Sequence, residues 1–382
     1  MKGRRLWFVG IGGAGLSAYA QLARALGAEV GGWDRAHTPY LAPLAGVPIE
    51  ISPEPVVPEG WEAVVSTAYP GVAGLSRTAF LAELTAGRRA IAVAGTHGKG
   101  TTAAMIAFVL RETGRDPAWL IGAPVPQLGS NAGFGEGLLV VEADESDRTA
   151  FALRPEIGVV TNIELDHHTE FASAAELEAA FAAWVATLPQ AVVDAPPYEG
   201  ELRLPGEHNR RNAGAALAAL ELAGVPRAEA ESALGRFAGT GRRFEVHERP
   251  GLTLVDDYAH HPTEIEAAIA AARERYPGRR VLVLFQPHLY SRTRHLAAEI
   301  GAALAAADDL TVTEIYPARE QPLPGVTGKL VVDALSDLGV LAGWTPTVEQ
   351  GAARVARRAR PGDVVLVLGA GDVDRAVGIL SE

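Results

Sequence analysis

The chain's 382 residues are enough for two or three domains, and a hydrophobic content of 48% supplies their cores, so the sequence specifies a folded protein. A net charge of -12 excludes broad affinity for nucleic acid, whose phosphate backbone needs concentrated Lys and Arg, but leaves room for one local nucleotide site. The absence of cysteine excludes disulfides, thiolate metal sites and cysteine nucleophiles and suits the cytoplasm, and no apolar run reaches the roughly 20 residues that span a membrane bilayer.

The first stretch, RLWFVGIGGAGLSAYAQLARALGAEVGGWD, reads as a strand, a G-x-G-x-x-G turn at Gly10, Gly12 and Gly15, a helix, a second strand and then Asp34, placed to meet a ribose hydroxyl. Lys2, Arg4 and Arg5 ahead of an apolar segment imitate a signal peptide. Gly10, Gly12, Gly13 and Gly15 interrupt that segment at phosphate-loop spacing, however, and helical periodicity continues through LSAYAQLARALG. On its own the fingerprint fits NAD, another nucleotide diphosphate at the same helix terminus, or a glycine turn with no ligand. WEAVVSTAYP follows as a buried strand whose polar end, Ser66 and Thr67, falls at the carboxyl edge where α/β sheets place ligands; the same hydroxyls suit a turn cap. SRTAFLAELTAGRR is expected to be a helix ending at Gly87, which sets the first domain at 1–88.

AIAVA, the glycine-punctuated AGTHGKGTT and a helical run through TTAAMIAFVLRETG come next: strand, glycine loop, helix. Loop amides and a helix N-terminus offer N–H groups to phosphate oxygens, glycines admit close backbone approach, and Lys99 would reach the terminal phosphates of a nucleoside triphosphate. The loop departs from G-x-x-x-x-G-K-[ST] in lacking the first glycine and in placing Gly100 after the lysine. A tight strand-to-helix turn with an exposed lysine is the competing reading.

Two acidic strand ends flank this loop in the sequence. GLLVVEADESD stops at Glu142, Asp144, Glu145 and Asp147, and EIGVVTNIELDHH stops at Asn162, Glu164, Asp166, His167 and His168. Carboxylates gathered there suit a magnesium ion bridging ATP phosphates, against the alternative of a solvated acidic loop. An amphipathic helix over ASAAELEAAFAAWVATL and a Pro-rich stretch lead to HNRRNAGAALAALELAG, where His208, Asn209 and Asn212 would read a purine edge or cap a helix. AGTGRRFE then reads as an interdomain hinge carrying Arg242 and Arg243, closing a central domain at 89–241.

The last third, 242–382, restarts as an α/β unit. GLTLVDDYAHHPTEIEAAIAAARERY holds Asp256, Asp257, Tyr258, His260 and His261 in a strand-to-helix turn, and RRVLVLFQPHLYSRTR, DLTVTEIYPARE and DVVLVLGAGD each end an apolar strand in a polar or glycine turn. The alternation implies a parallel sheet with ligand groups on one edge, where His288, Arg292, Arg294 and Arg319 would gather for a carboxylate or phosphate.

Taken in order, FVGIGGAGLSA, VAGTHGKGTT, VEADESD, TNIELDH, HNRRNA, RRFE, DDYAHHPTEI, FQPHLYSRTR and GAGD resemble the ATP-dependent Mur ligases of cell-wall peptidoglycan synthesis, and among them the UDP-N-acetylmuramate:L-alanine ligase family. The resemblance extends over almost the whole chain. It implies a three-domain α/β architecture: a Rossmann-like UDP-sugar domain, a P-loop ATPase domain, here shortened, and a Rossmann-like C-terminal domain that closes over the active site. It further implies that Gly10, Gly12, Gly13, Ala14, Gly15, Asp34, Ser66 and Thr67 hold the UDP-sugar, not NAD. Gly95, Thr96, His97, Gly98, Lys99, Gly100, Thr101 and Thr102 would bind ATP, with His208, Asn209, Asn212, Arg242, Arg243, Asp257 and Tyr258. Glu142 and His167 match magnesium positions, with Thr101 standing in for an expected threonine directly after the lysine. His260 and Arg292 match positions around the nucleotide and the incoming amino acid, and join Lys99, Glu142 and His167 as the implied catalytic set. The implied partners are UDP-N-acetylmuramate, L-alanine and ATP, with no nucleic acid and no membrane.

Three departures stand out: Gly100 after the lysine, Leu289 where the family has a substrate arginine, and a short segment between His168 and His208. They keep two alternatives in view, a ligase that attaches a recovered tripeptide to the same sugar nucleotide and a Mur-like nucleotide-binding protein without catalysis.

Overall fold

Uninterrupted apolar runs bounded by glycine or polar turns become buried parallel strands, because a strand covered on both faces has no polar side to show. The computed structural model, which describes residues 1–86, 88–165, 170–318 and 320–381, contains three sheets built on this pattern. The first has order β3-β2-β1-β4-β5 and comprises β1 (Arg5–Val9), β2 (Glu29–Asp34), β3 (Ile49–Ile51), β4 (Glu62–Val65) and β5 (Leu75–Ser76), with helices α1 (Ala14–Ala25) and α2 (Arg77–Thr85). Two glycines inside β2 have a packing reason: a Cβ on Gly31 would come within 2.6 Å of the Trp7 ring, and one on Gly32 within 2.6 Å of Ile11. The Phe8 ring meets Phe80 edge to face at 5.4 Å, tying β1 to α2, and truncating either to Ala would cost about 3–5 kcal/mol.

The second sheet comprises β6 (Ala90–Ala94), β7 (Ala118–Val125), β8 (Ser130–Gly133), β9 (Leu139–Glu142), β10 (Ile157–Val160) and β11 (Gln190–Val193) in the order β11-β10-β6-β9-β7-β8. Its helices are α3 (Lys99–Glu112), α4 (Thr149–Ala152), α5 (Ala174–Val185), α6 (Glu207–Leu222) and α7 (Arg227–Leu234). β8 runs antiparallel to β7, through a turn that the sequence pattern does not announce. One apolar cluster runs from Leu6 and Phe8 through Ala90 and Ala92 to Phe181 and Trp184, so both sheets share a core.

The third sheet has order β12-β13-β17-β14-β15-β16, with β12 (Glu245–Arg249), β13 (Leu252–Asp257), β14 (Val281–Phe285), β15 (Asp309–Val312), β16 (Ala342–Trp344) and β17 (Asp363–Leu368). Around it lie α8 (Pro262–Arg275), α9 (Tyr290–Leu304), α10 (Lys329–Asp337), α11 (Val348–Arg358) and α12 (Arg375–Ile379). The expected parallel sheet is found, with one addition. β12 pairs antiparallel to β13 through a two-residue turn at Pro250 and Gly251, the latter at φ 79°, and its polar composition suits an edge.

The chain divides into two compact units, one of Met1–Arg203 with Asn209–Thr240 and the other of Leu204–His208 with Gly241–Glu382. Among the described residues, no helix is long and apolar enough to cross a membrane.

Candidate active site

The glycine loop leaves β6 and enters α3 through two left-handed residues, Gly95 at φ 122° and Gly98 at φ 79°. Both positions need glycine. A Cβ on Gly95 would lie 2.3 Å from Thr161 Oγ1, and one on Gly98 would lie 2.2 Å from Asn212 Oδ1. Asn212, buried on α6, therefore lies against the loop itself.

The end of β10 braces the same loop. Asn162 accepts from the His97 amide at 2.9 Å and donates to the His97 carbonyl at 2.8 Å, while Thr161 donates to that carbonyl at 2.6 Å. Thr96 Oγ1 donates to the Glu164 carbonyl at 2.8 Å and accepts the Glu164 amide at 2.9 Å, and His97 Nε2 lies 3.1 Å from the Glu164 carboxylate. The polar strand end thus fixes the loop's backbone. Asp166, His167, His168 and Arg319 lie outside the described residues.

Lys99 points back along its loop. Its ammonium donates to the carbonyls of Gly95 at 2.8 Å and Thr96 at 3.0 Å and pairs with Glu145 Oε2 at 2.8 Å. Burial alone would depress the Lys99 pKa, but Glu145, Asp144 and Glu142 outweigh it and hold the ammonium above the ordinary lysine value. Burial pushes Glu145 up to about 7 against the pull of Lys99. Asp144 also resists burial: Lys99 and the Ser146 amide keep it below the ordinary carboxylate range.

Glu142, at the end of β9, accepts from the Gly122 amide at 2.6 Å. A Cβ on Gly100 would stand 3.2 Å from Glu142 Oε2, so the glycine that departs from the usual loop pattern lies directly under this carboxylate. Thr101 is 6% exposed and Thr102 wholly buried.

At the first glycine turn, Asp34 does something other than wait for a ribose. Its Oδ2 accepts from the Gly12 amide at 2.7 Å and Thr38 Oγ1 donates to the Gly12 carbonyl at 2.6 Å, so the acid holds the turn. Asn131 on β8 donates to the Ala14 carbonyl at 3.0 Å, linking the start of α1 to the second sheet. Ser66 caps its own turn, accepting from the Ala68 amide at 3.3 Å, and Thr67 is exposed.

In the second unit, Asp257 is enclosed: Oδ2 accepts from the Phe244 amide at 2.7 Å and Oδ1 from the Ala259 amide at 2.8 Å, while burial raises its pKa. Arg242, a non-glycine residue at φ 55°, donates to the carbonyls of Gly371 at 3.0 Å and Gly369 at 2.7 Å and lies 3.3 Å from Asp256. The Arg243 guanidinium covers the Tyr258 ring at 4.9 Å and reaches Glu264 at 3.5 Å. His260 Nδ1 lies 2.9 Å from the Tyr258 carbonyl and 3.2 Å from Glu264. The His260 and His288 rings are 5.7 Å apart, His288 stacks on Tyr316 at 5.8 Å, and Arg292 Nη1 is 3.1 Å from His288 Nδ1. Arg294 is exposed beside His295 and does not join them. Tyr316 was not singled out by the sequence, although its place at the end of an apolar strand run marks the same sheet edge. His208 belongs to this unit, while Asn209 and Asn212 of the same helix belong to the other.

Family models match two parts of the chain: the Mur ligase middle domain over residues 93–196 and the Mur ligase glutamate ligase domain over residues 242–371. A UDP-N-acetylmuramate–L-alanine ligase of Renibacterium salmoninarum is 39% identical, covering 97% of this chain and 94% of its own length. The chain belongs to the Mur ligase family. A second relative of the same name, from Kineococcus radiotolerans, is 40% identical over 97% of this chain and 94% of its own. The crystal structure of the Thermotoga maritima UDP-N-acetylmuramate–alanine ligase superposes with a TM-score of 0.82 and 25% identity over 98% of each chain. The alignment to the Renibacterium protein runs over 442 positions, more than the 382 residues here, so that Mur ligase carries residues this one lacks.

Mur ligase membership points to a divalent metal ion with the nucleotide. The residues present fit it: Glu142 supplies a hard carboxylate over the first turn of α3, and Asp144, held ionised, stands two residues on.

Proposed function

We propose that this Mur ligase joins L-alanine to UDP-N-acetylmuramate at the expense of ATP, through an acyl phosphate, as a cytoplasmic step of peptidoglycan precursor synthesis. The observation that carries this reading is the match, at 39% identity over 97% of the chain, to a UDP-N-acetylmuramate–L-alanine ligase, together with a glycine loop whose lysine is held charged. The reading divides the chain into a sugar-nucleotide part at 1–88, an ATP part at 89–241 and a C-terminal part at 242–382.

The substrate carboxylate attacks the γ-phosphorus of ATP and ADP leaves; the amine of L-alanine then attacks the acyl carbon and phosphate leaves. No covalent bond to the enzyme forms. Loop amides from Gly95 to Thr102 and the N-terminus of α3 take the phosphate oxygens, and the Lys99 ammonium moves from its carbonyls to the developing charge. Magnesium, for which Glu142, Thr101 and His167 are the proposed ligands, supplies further neutralisation when bound. His208, Asn209 and Asn212 serve the nucleotide side, as do Arg242, Arg243, Asp257 and Tyr258. Gly10, Gly12, Gly13, Ala14 and Gly15 take the sugar nucleotide's phosphates, with Asp34, Ser66 and Thr67 shaping that turn.

His260 and Arg292 receive the amino acid. His260 Nδ1 lies 2.9 Å from the Tyr258 carbonyl and 3.2 Å from Glu264, which orients the ring towards the amino acid, and Arg292 suits the α-carboxylate.

The test is phosphate release with ATP, magnesium and UDP-N-acetylmuramate, with and without L-alanine, and with Lys99→Ala as control. Release that needs both substrates, vanishes in the variant and accompanies an alanine adduct by mass supports the reading. Binding of ATP and sugar nucleotide with no adduct to L-alanine or to a tripeptide overturns it in favour of a non-catalytic Mur-like protein.

A further inference from the structure

Arg77 opens α2, directly after the Ser76 cap, whose side chain accepts from the Ala79 amide at 3.1 Å. Its guanidinium does not run out to solvent. The Cζ lies 3.6 Å from where a Cβ on Gly15 would be, so it packs beneath the first glycine turn, beside Tyr19 one turn further along α1, which is 4% exposed. On its other side, Nη1 lies 3.6 Å from Asp147 Oδ2, and Asp144 acts on it as well. A contact from the next residue runs parallel: Thr78 Oγ1 is 2.7 Å from Thr149 Oγ1 at the start of α4. Arg77 Nε and Asp147 Oδ2 are both buried with no hydrogen-bond partner among the described residues, so ionic contact rather than a closed hydrogen-bond pair holds this junction.

The turn that Arg77 grips is the one that carries Glu145, the carboxylate 2.8 Å from Lys99. One line of contacts therefore runs from the helix behind the glycine turn of the first sheet, through Arg77, to the acidic turn and to the lysine of the second glycine loop. All of it lies in one compact unit.

We infer that Arg77 is a positioning residue for ligation, setting the acidic turn and Lys99 in register with the sugar-nucleotide site. The inference rests on the proposed function, which places the attacking carboxylate on the first sheet and the γ-phosphate on the second. In-line transfer needs reacting atoms about 3–3.5 Å apart, and a misplacement of about 1 Å costs on the order of a hundredfold in rate. A planar, always-charged fork wedged between a helix and two carboxylates fixes both neighbours; an ammonium on a flexible stem fixes one at a time.

The experiment compares wild type, Arg77→Lys and Arg77→Met for product formation, and measures by calorimetry the binding of a non-hydrolysable ATP analogue with and without UDP-N-acetylmuramate. The expected result is a kcat at least about tenfold lower in Arg77→Met, with KM for ATP within a few-fold of wild type and partial recovery in Arg77→Lys. The sugar nucleotide's effect on analogue affinity should shrink towards none in Arg77→Met, while affinity for the analogue alone is retained. Asp147→Asn should add little to the loss in Arg77→Met, since both break one contact. Unchanged kcat and coupling in a folded Arg77→Met overturn the inference and leave the ligase reading intact, as does a uniform loss in which both ligands weaken together with the melting temperature. Should Arg77→Met fail to fold, Arg77→Lys decides by the same two readouts. A wild type that forms no adduct overturns the ligase reading instead.

Discussion

His208 offers the sharpest test of the electrostatics, because its surroundings fix both the sign and the size of the effect. The ring lies against Gly206, where a Cβ would come within 2.6 Å of its Cε1, and burial, reinforced by the Arg243 charge, lowers its pKa from 6.5 to about 4 despite Glu264, Glu274 and Glu207 nearby. In the folded protein the imidazole is neutral at pH 5, whereas in the unfolded chain it is protonated. Stability due to His208 is therefore present above the unfolded value and is lost as pH falls towards 4. Linkage gives a loss of about 2 kcal/mol at pH 5 and about 3 kcal/mol at pH 4 relative to pH 7. Urea unfolding of wild type and His208→Gln at pH 7 and pH 5 measures it, and the difference of differences isolates the residue. Asp256 and Glu145, both pushed up to about 7, titrate with the opposite sign but are common to the two proteins and cancel. The variant should lose about 2 kcal/mol less than wild type between the two pH values. An equal acid response in both would refute the neutral imidazole.

Other substitutions probe the loops. Gly98→Ala puts a methyl in a left-handed position 2.2 Å from Asn212 Oδ1; the backbone term alone is about 1–2 kcal/mol, so calorimetry should show ATP-analogue binding weakened about tenfold or more, with partial recovery in Gly98→Ala/Asn212→Ala. Gly122→Ala brings a Cβ to 2.8 Å from Glu142 Oε2 and displaces that carboxylate, so magnesium should support nucleotide binding only at higher concentration, read from metal titrations of analogue affinity. Asp256 is raised mainly by burial, so its contribution to stability falls as pH rises from about 4 towards 7, and Asp256→Asn should flatten the decline in urea midpoint over that window.

The elements with one dominant signal were legible in the sequence: AIAVA became β6, VLVLF lies in β14, and the glycine spacing located both strand-to-helix turns. Several of the elements missed lack such a signal. β3 and β5 are too short to show a period, β8 is a Gly-containing edge strand, and β12 carries Glu, His and Arg on an edge where its neighbour supplies the order. For the site, residue type named the chemistry but not the geometry. Arg77 reads as the first residue of an ordinary helix, and only tertiary packing reveals that it faces Gly15 on one side and Asp147 on the other.

Asp34 shows how one motif supports two different ligands. An acid at the end of the second strand suits a ribose hydroxyl only when its oxygens can face the ligand. Here Oδ2 accepts the Gly12 amide at 2.7 Å, and any side chain at position 12 would bring its Cβ to 2.8 Å from that same oxygen. The acid and the glycine thus specify each other, and the contact closes the turn from within. Gly10 tightens it from the far side, where a Cβ would stand 3.0 Å from Ser66 Cβ and 3.1 Å from the Tyr69 ring, which packs edge-on to Trp33 beside Asp34. Strand ends β1, β2 and β4 therefore converge on one glycine turn whose geometry is set before any ligand arrives. What remains for recognition is the N-terminus of α1, whose amides suit a phosphate rather than a particular nucleoside, which is why the fingerprint alone does not distinguish a dinucleotide from a sugar nucleotide.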